Sequence, residues 1–329
     1  MWASTDDIIF STTFNNNVSE TSDSETAPSE RLGIITGESA PQLTDDGQAV
    51  RQTLQRQGIV VDPLLWTDRS VDWTTYDAVL FRSCWEYHTD PDQFETLVAE
   101  LSTADVAVYN PTAAIEWNMH KSYLLELAAA GIPTPSTVVV EADTKASLEA
   151  IMEQQGWEKA VIKPAIGASS TGVWQSSRDE AITNSDRFQS ALVTRDLMVQ
   201  EYLPEISAGE RSVVFVRGEY SHAWNDIPEA EDFSAFDETD LGYEPTVSIR
   251  EQARRVVETA CEQIGWQPNQ LPYARVDYVE REESILLLEL ELIEPYLGLV
   301  RTEEGVDRFA SAVTDLLAER PTPSSQSTA

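Results

Sequence analysis

Three acidic side chains in the C-terminal third of the chain have a spacing that suits a metal site. Glu289 and Glu291 lie in the apolar run 286–293, where the two-residue repeat of a strand places both on one face, roughly 6.6 Å apart at Cα. Asp277 can supply a third carboxylate from a neighbouring strand. Converging carboxylates repel one another unless cations neutralise them, and hard oxygen donors suit Mg²⁺, above all beside phosphates. The alternative is a half-exposed strand with solvated acids.

Lysine is scarce in this chain, which makes Lys121 and Lys163 conspicuous among its four lysines. Lys163 follows an apolar run and opens the segment 163–172, whose small residues let backbone N–H groups approach phosphate oxygens. The phosphate-binding candidates in this segment are Gly167, Ser169, Ser170 and Gly172. The segment lacks the Gly-Lys-Ser/Thr sequence of a Walker loop, and an ordinary hairpin turn is the alternative.

The residues between 199 and 211 have the types needed to bind a nucleoside. Gln200, Glu201 and Leu203 follow an apolar strand, whose end exposes backbone groups that can hydrogen-bond to an adenine edge. Glu210 is a candidate acceptor for ribose hydroxyls, and Arg211 is a candidate clamp for phosphate or carboxylate. The alternative is plain strand and turn with surface charges.

The composition limits the classes of partner. The chain has 57 acidic and 22 basic residues, a formal net charge of −35 and 41% apolar residues. The apolar fraction is sufficient for a globular core, and the charge predicts a halophile-type acidic proteome, where salt screens self-repulsion. Because this field repels phosphates and anionic lipids, and no basic patch is present, we expect neither a nucleic-acid nor a membrane partner.

The cysteines and the apolar runs indicate the compartment. Cys84 and Cys261 form no disulfide framework or zinc motif, which fits a reducing interior. No apolar run approaches the roughly 20 residues that span a bilayer. The first 30 residues contain no Lys or Arg, so we expect no signal peptide and a cytoplasmic protein.

Alternating helix and strand patterns predict an α/β region followed by α+β regions. We expect strands at 32–36, 59–65 and 77–82 with helices at 45–58 and 91–103, which together form a parallel sheet. Helices are expected at 118–130, 144–155, 248–264 and 304–318, strands at 137–140, 160–163, 172–175, 197–201, 273–279 and 284–293, and a hairpin at 211–225. The acidic stretch 228–247 is predicted to be a loop able to order over a ligand.

The ordered set of motifs resembles the ATP-grasp superfamily. It comprises Lys121, Lys163 with its Gly/Ser loop, Gln-Glu-Tyr-Leu at 200–203, Glu210-Arg211, Asp277 and Glu-Leu-Glu at 289–291. The sequence of residues 200–212 is similar to that of the bacterial glutathione synthetase branch. The segments 82–87, 117–124 and 289–295 look closest to a subgroup that includes the cycloserine-forming cyclo-ligase. The resemblance covers about 31–318.

The resemblance implies an ATP-grasp fold preceded by a parallel-sheet pre-ATP-grasp domain. The expected segments are a flexible acidic tail (1–30), a substrate-side domain (31–115), a first lobe (116–200), a second lobe with the metal site (201–318) and a flexible tail (319–329). In the family's chemistry, ATP phosphorylates a carboxylate to an acyl phosphate, an amine attacks it, and ADP and phosphate leave.

Residue roles follow from the same resemblance. Lys121, Lys163 and the loop hold the phosphates, Gln200, Glu201 and Leu203 the adenine, and Glu210 the ribose. Asp277, Glu289 and Glu291 bind Mg²⁺, with two ions expected and Mn²⁺ as an alternative. Arg211 and Arg275 are the catalytic candidates, and Arg82, Trp85, Asn118 and Glu294 the substrate candidates; an arginine at a strand end is often structural.

Two departures from the family pattern bear on function. Glu291 stands where many relatives have Asn, and Tyr296 follows Glu294-Pro295 where relatives often carry a small residue. We therefore expect a carboxylate–amine ligase acting on small amino-acid-like substrates. An intramolecular cyclo-ligase and a non-catalytic ATP-binding module are the alternatives. Relatives form dimers or tetramers, which allows a homo-oligomer.

Overall fold

The computed structural model describes residues 30–229 and 232–320. The predicted tails, residues 1–30 and 319–329, lie outside this part except for Glu30, Glu319 and Arg320. Within the described residues, eight α-helices accompany three β-sheets. No helix in this part of the chain is long and apolar enough to cross a bilayer. The predicted limits of the domains stay a prediction.

The N-terminal sheet is parallel, as predicted, but has a fourth strand that was not predicted; the strand order is β2-β1-β3-β4. Its elements are β1 (Arg31–Thr36), α1 (Asp45–Arg56), β2 (Val60–Leu65), β3 (Ala78–Phe81), α2 (Pro91–Thr103) and β4 (Ala107–Tyr109). All four residues of β3 are buried, which is typical of a parallel strand covered on both faces. Thr44 caps the start of α1, and Gly58, with φ of +90°, turns the chain after its end.

A second sheet is antiparallel, with the strand order β5-β8-β6-β7. Helices α3 (Thr112–Met119) and α4 (Tyr123–Ala129) precede it, and its elements are β5 (Thr137–Val140), α5 (Leu148–Gln155), β6 (Lys159–Pro164), β7 (Trp174–Ser177), α6 (Ser185–Leu192) and β8 (Leu197–Glu201). Met152, Phe188 and Ile162 belong to the core between this sheet and its helices. That core fixes β6, which carries Lys163.

The third sheet has five antiparallel strands in the order β11-β10-β9-β12-β13. Its strands are β9 (Glu210–Val216), β10 (Glu219–Glu229), β11 (Asp232–Asp240), β12 (Ala274–Arg281) and β13 (Ser284–Glu291). Along the chain, α7 (Val247–Ile264) lies between β11 and β12, and α8 (Gly305–Glu319) follows β13. Val213 and Val276 belong to the same core as Val256 of α7. Because strand side chains alternate, the neighbouring positions Ser212 and Asp277 are left for the other face.

Two predicted elements differ from the structure. The helix expected at 118–130 is divided into α3 and α4, because the backbone N–H of Lys121 donates to the carbonyl of Ala165 (2.8 Å) in the second sheet's loop. The loop expected at 228–247 is wrong for 228–229 and 232–240, which belong to β10 and β11. β11 is an edge strand, and edge strands tolerate acidic and polar residues that hide the usual strand pattern.

Candidate active site

A cavity of about 450 Å³ lies along one face of the third sheet and is closed by parts of the second. The alternating residues of four strands face it: Glu210 and Ser212 of β9, Trp224 and Asp226 of β10, Arg275 and Asp277 of β12, and Glu289 and Glu291 of β13. The strand pairing places Asp277 opposite both Ser212 and Glu289. The antiparallel register therefore gathers acidic groups that are distant in sequence.

Glu289 joins the two conspicuous lysines. Its Oε2 accepts from Lys121 Nζ (3.0 Å) and its Oε1 from Lys163 Nζ (2.9 Å). Burial alone would raise the pKa of Glu289, but the two ammonium groups outweigh burial and lower that pKa to about 2. Both lysines thus lie side by side on one carboxylate, which balances only one of their two positive charges.

Arg275 makes the corresponding contacts with the other two acids. Its Nε and Nη2 donate to both oxygens of Asp277, and Nη2 also donates to Glu291 Oε1 (3.0 Å). Asp277 Oδ1 additionally accepts from Ser212 Oγ (2.7 Å). Asp277 is 1% exposed, and its side chain is held by Ser212 of β9 and by Arg275 of its own strand. The remaining Arg275 nitrogen, Nη1, donates to the carbonyl of Tyr296 (2.9 Å).

The acids of the cavity outnumber the cations that neutralise them. Burial and the charges of Asp277 and Glu289 raise the pKa of Glu210 to about 8. Burial also raises the pKa of Glu291, with Asp277 and Glu289 adding to the effect despite Arg275. In the described part of the chain, no three His, Cys, Asp or Glu side chains already converge as a metal site. The surplus of negative charge and the set of hard oxygen donors nevertheless fit a divalent cation.

The predicted phosphate and nucleoside segments border the same cavity. Gly167, Ser169 and Ser170 line it together with Ala168 and Thr171, whereas Gly172 is not among its lining residues. Ser169 and Ser170 have φ of 53° and 54°, and Gly172 has φ of 78°. Successive backbone N–H groups in such turns form concave anion-binding surfaces.

The nucleoside candidates line the cavity at the end of β8. Gln200, Glu201, Leu203 and Glu210 all border it. Gln200 is 4% exposed, and its Nε2 donates to Thr137 Oγ1 (2.9 Å), which holds the side chain in the second sheet. The cavity therefore contains both the phosphate-binding candidates of the loop and an apolar part lined by Pro135, Val161 and Ile206.

Two family models match separate parts of this architecture. The N-terminal domain of D-cycloserine synthetase DcsG matches residues 32–110, and the ATP-grasp domain of prokaryotic glutathione synthetase matches residues 124–265. The chain is an ATP-grasp ligase. This confirms the resemblance drawn from the ordered motifs.

Related proteins agree in sequence and in fold. The cycloserine biosynthesis protein DcsG of Streptomyces lavendulae is 28% identical over 295 residues, which are 87% of this chain and 98% of the relative. Glutathione synthetase of Thermosynechococcus vestitus is 27% identical over 196 residues, 58% of each chain. The crystal structure of D-cycloserine synthetase DcsG has a TM-score of 0.79 at 26% identity and covers 87% of this chain and 99% of its own. D-alanine–D-alanine ligase from Bacillus anthracis with ATP has a TM-score of 0.63 at 16% identity, covering 88% and 97%, and shares the fold.

Several predicted substrate and catalytic residues of this ATP-grasp ligase lie away from the main cavity. Arg82 is 5% exposed and stacks over the rings of Tyr273 (5.0 Å) and Phe309 (5.5 Å). Arg211 projects from the other face of β9, where it pairs with Glu280 (3.3 Å). The structure does not bring either arginine to the cavity; strand alternation, which separates Arg211 from Glu210, is the reason for the second.

The other three substrate candidates surround the end of β13. Asn118 donates to the carbonyl of Leu290 and accepts from the N–H of Leu292, as an extra strand would. Trp85 Nε1 donates to the carbonyl of Glu294 (2.9 Å). Asn118 and Glu294 line a small cavity of about 10 Å³ next to Glu291. Burial, with the charge of Glu291, raises the pKa of Glu294 well above its ordinary value.

Some cavity residues of the ATP-grasp ligase were not among the predicted site residues. They are Trp224, Asp226, Thr239, Arg301 and Tyr296, of which Tyr296 was noted only as a departure from the family. Trp224 Nε1 and Thr239 Oγ1 both donate to Asp226. The sequence Trp-Asn-Asp at 224–226 could have identified two of them, since strand alternation places Trp224 and Asp226 on one face.

Proposed function

We propose that this protein is an ATP- and Mg²⁺-dependent ligase that phosphorylates a small carboxylate and joins it to an amine, releasing ADP and phosphate. The observation that carries the proposal is the convergence of Lys121, Lys163 and three strand carboxylates at the loop-lined part of one cavity. Phosphoryl transfer needs charge neutralisation and positioning more than covalent chemistry, and this is what such a set supplies.

Each part of the cavity then has a role. Lys121, Lys163 and the N–H groups of residues 167–171 bind the phosphates, while Gln200 and Leu203 contact the adenine and Glu210 the ribose. Asp277, Glu289 and Glu291 would hold Mg²⁺, which when bound neutralises charge on the transferring phosphoryl group. The loop over the phosphates excludes water that would hydrolyse an acyl phosphate.

Arg275 is the catalytic candidate that the geometry supports. Its guanidinium lies between the carboxylates of Asp277 and Glu291 and the carbonyl of Tyr296. The pKa of Arg275 is raised, because its acidic neighbours outweigh burial, so the group remains a cation. Once a metal ion occupies the carboxylates, that cation can stabilise the negative oxygen that develops when the amine attacks the acyl group.

A second candidate function is ring closure within one substrate molecule, as a cyclo-ligase of the cycloserine type. The match of residues 32–110 to the N-terminal domain of D-cycloserine synthetase supports it, since this region is the expected substrate-side domain. Tyr296 lines the cavity at a position where relatives often carry a small residue. This favours a pocket shaped differently from theirs and hence the intermolecular ligase.

The test is release of ADP and phosphate from Mg-ATP in concentrated KCl, with pools of amino acids and small carboxylates. Release that needs two compounds establishes the ligase, and release with a single compound establishes the cyclo-ligase. The variant Glu289→Gln/Glu291→Gln should lose the stimulated release while remaining folded by circular dichroism. Nucleotide binding without release by any pool would instead favour a non-catalytic ATP-binding module and contradict the proposal.

We also propose a salt-rich cytoplasm as the setting of this enzyme. The net charge of −35 and the two buried free thiols of Cys84 and Cys261 support this. Melting temperature should rise as KCl is raised from low to molar concentration. The predicted homo-oligomer, the number of metal ions and the use of Mn²⁺ stay predictions.

A further inference from the structure

His120 lies beside Lys121 in the break between two helices. Helix α3 ends at Met119 and α4 begins at Tyr123, so that His120, Lys121 and Ser122 form the break. The side chain of His120 is partly buried, and it lines neither of the two cavities described above. Its effect on a ligand in the main cavity therefore has to pass through the residues that it contacts.

The imidazole of His120 has a defined orientation. Its Nδ1 accepts a hydrogen bond from the backbone N–H of Ser122 (3.2 Å) and lies 2.7 Å from Ser122 Oγ. Because Nδ1 is the acceptor, the neutral ring carries its proton on Nε2. Nε2 lies 3.3 Å from Asp196 Oδ2, and this buried nitrogen has no aligned hydrogen-bond partner among the described residues. The ring thus presents a donor to a carboxylate, and a small rotation completes the bond.

Asp196 connects His120 back to the neighbouring Lys121. The carbonyl of Asp196 accepts from the N–H of Ala165 (2.9 Å), and the carbonyl of Ala165 accepts from the N–H of Lys121 (2.8 Å). Asp196 Oδ1 also accepts from the N–H of Ala142 (2.8 Å), which holds the carboxylate in the loop after β5. Since Lys121 is covalently bonded to His120, these contacts form a closed circuit that ties the break to the second sheet.

This circuit lies next to the groups proposed to bind phosphates. Ala165 is two residues before the loop 167–171, and Lys121 reaches into the main cavity, where its Nζ lies 3.0 Å from Glu289 Oε2. Outside a continuous helix, the backbone N–H of Lys121 depends on Ala165 for its acceptor. A rotation of the break about that one bond would swing the long lysine side chain away from the loop. The second contact, from His120 to Asp196, opposes this rotation.

We infer that His120 is a positioning residue for Lys121 and acts through Asp196. The contact between the imidazole and the Asp196 carboxylate fixes the backbone at the break, which keeps the Lys121 ammonium directed at the nucleotide phosphates. His120 itself touches no nucleotide. The inference rests on the phosphate role of Lys121 in the proposed function and adds to it a residue outside the cavity.

The experiment is a double-mutant cycle of His120→Ala and Lys121→Ala. The readout is the affinity for ADP in excess Mg²⁺, measured by calorimetric titration of the full chain. His120→Ala should weaken ADP binding about tenfold. Added to Lys121→Ala, it should cause no further loss, because no ammonium is then left to position. A purely structural role of His120 would give the same factor in both backgrounds.

Two conservative variants separate the two ring contacts. The side-chain amide of His120→Gln reaches about as far as Nε2 and can donate to Asp196, whereas the amide of His120→Asn lies near the place of Nδ1 and can contact Ser122. His120→Gln should keep most of the wild-type ADP affinity, and His120→Asn should be as weak as His120→Ala. His88→Ala is the matched control, because His88 is partly buried, lines neither cavity and should not affect ADP binding.

The outcomes distinguish the inference from the proposed function. Wild-type ADP affinity in a folded His120→Ala protein overturns the inference, and so do additive effects in the cycle or equal affinities of the Gln and Asn variants. If His120→Ala does not fold, the comparison of those two variants decides alone. Unchanged ADP affinity of Lys121→Ala would remove the phosphate role and the positioning role together. If the cycle shows coupling but no substrate pool stimulates ADP release, the positioning role stands and the ligase reaction fails.

Discussion

Replacing Glu289 by Gln tests how the cavity couples metal and nucleotide. Glu289 forms ion pairs with both Lys121 and Lys163, at 3.0 and 2.9 Å. A nucleotide phosphate without metal must compete with this carboxylate for both lysines and is repelled by it. If Glu289 is a metal ligand as proposed, a bound cation would neutralise its charge, so that the lysines would be free for the phosphate and the repulsion would be removed. Glu289→Gln should therefore change nucleotide affinity in opposite directions without and with Mg²⁺.

The magnitude follows from the charge interactions of Glu289. The pKa of Glu289 falls from 4.5 to about 2, which corresponds to ~3 kcal/mol of net stabilisation of the ionised carboxylate. Recovery of half of this attraction by the phosphate would tighten metal-free binding about tenfold, since ~1.4 kcal/mol is a factor of ten. With Mg²⁺ present, loss of this proposed metal ligand should weaken nucleotide binding by a similar factor or more.

The assay is calorimetric titration of ADP into wild type and Glu289→Gln, in EDTA and in excess Mg²⁺. Glu280→Gln is the matched control, because Glu280 lies on the same sheet, pairs with Arg211 and does not line the cavity. It should leave both affinities unchanged. Metal-free ADP binding by Glu289→Gln that equals or falls below that of the wild type would refute the reasoning.

Three further changes have defined outcomes. Lys163→Ala should weaken Mg-ATP binding at least about tenfold in a folded protein, whereas Lys145→Ala, at an exposed position, should not. Equal Mg-ATP affinities of wild type and Lys163→Ala in a fluorescence titration would contradict the phosphate role of Lys163. Between pH 4.5 and 8, Glu210 keeps a proton in the folded protein that it releases in the unfolded chain, so the free energy of unfolding should fall as pH rises, by at most ~1.4 kcal/mol per pH unit. Glu210→Gln should flatten this pH dependence, as measured by urea unfolding. Parallel plots of unfolding free energy against pH for wild type and variant would argue against the raised pKa. Gly209→Ala should cost ~1–3 kcal/mol, because Gly209 has φ of +114° and a Cβ would overlap the Asn225 side chain; an unchanged urea midpoint would exclude this strain.

The sequence predicted most of the fold because its elements carry local patterns. The fully buried strand β3 and the capped helix α1 follow directly from apolar runs, Thr44 and Gly58. The edge strand β11 could not be predicted in this way, since its partner β10 supplies the hydrogen bonds and its own residues are largely polar. The break at Lys121 depends on a tertiary hydrogen bond to Ala165, which no local pattern records.

Prediction of the site was best where residue type and strand alternation agreed. Glu289 and Glu291 could be placed on one face from their spacing alone, and the register then brings Asp277 beside them. Arg211 is adjacent in sequence to Glu210 but belongs to the opposite face, so the same alternation argues against its catalytic role. The part of the cavity lined by Trp224, Tyr296 and Arg301 combines β10 with the segment after β13, and contacts between segments so distant in sequence leave no local pattern.

Arg82 shows why residue type and a position at a strand end do not decide a role. Burial lowers the pKa of Arg82, although the nearby Tyr273 and Asp46 act in the opposite direction. Its Nη1 has no hydrogen-bond partner among the described residues, and the rings of Tyr273 and Phe309 are its closest support. Tyr273 directly precedes β12 and Phe309 lies in α8, so the guanidinium packs the N-terminal sheet against the C-terminal part of the chain. The contacts of Arg82 are thus those of a packing residue, and its position beyond a strand end, which suggested a substrate contact, does not bring it to the lining of the main cavity.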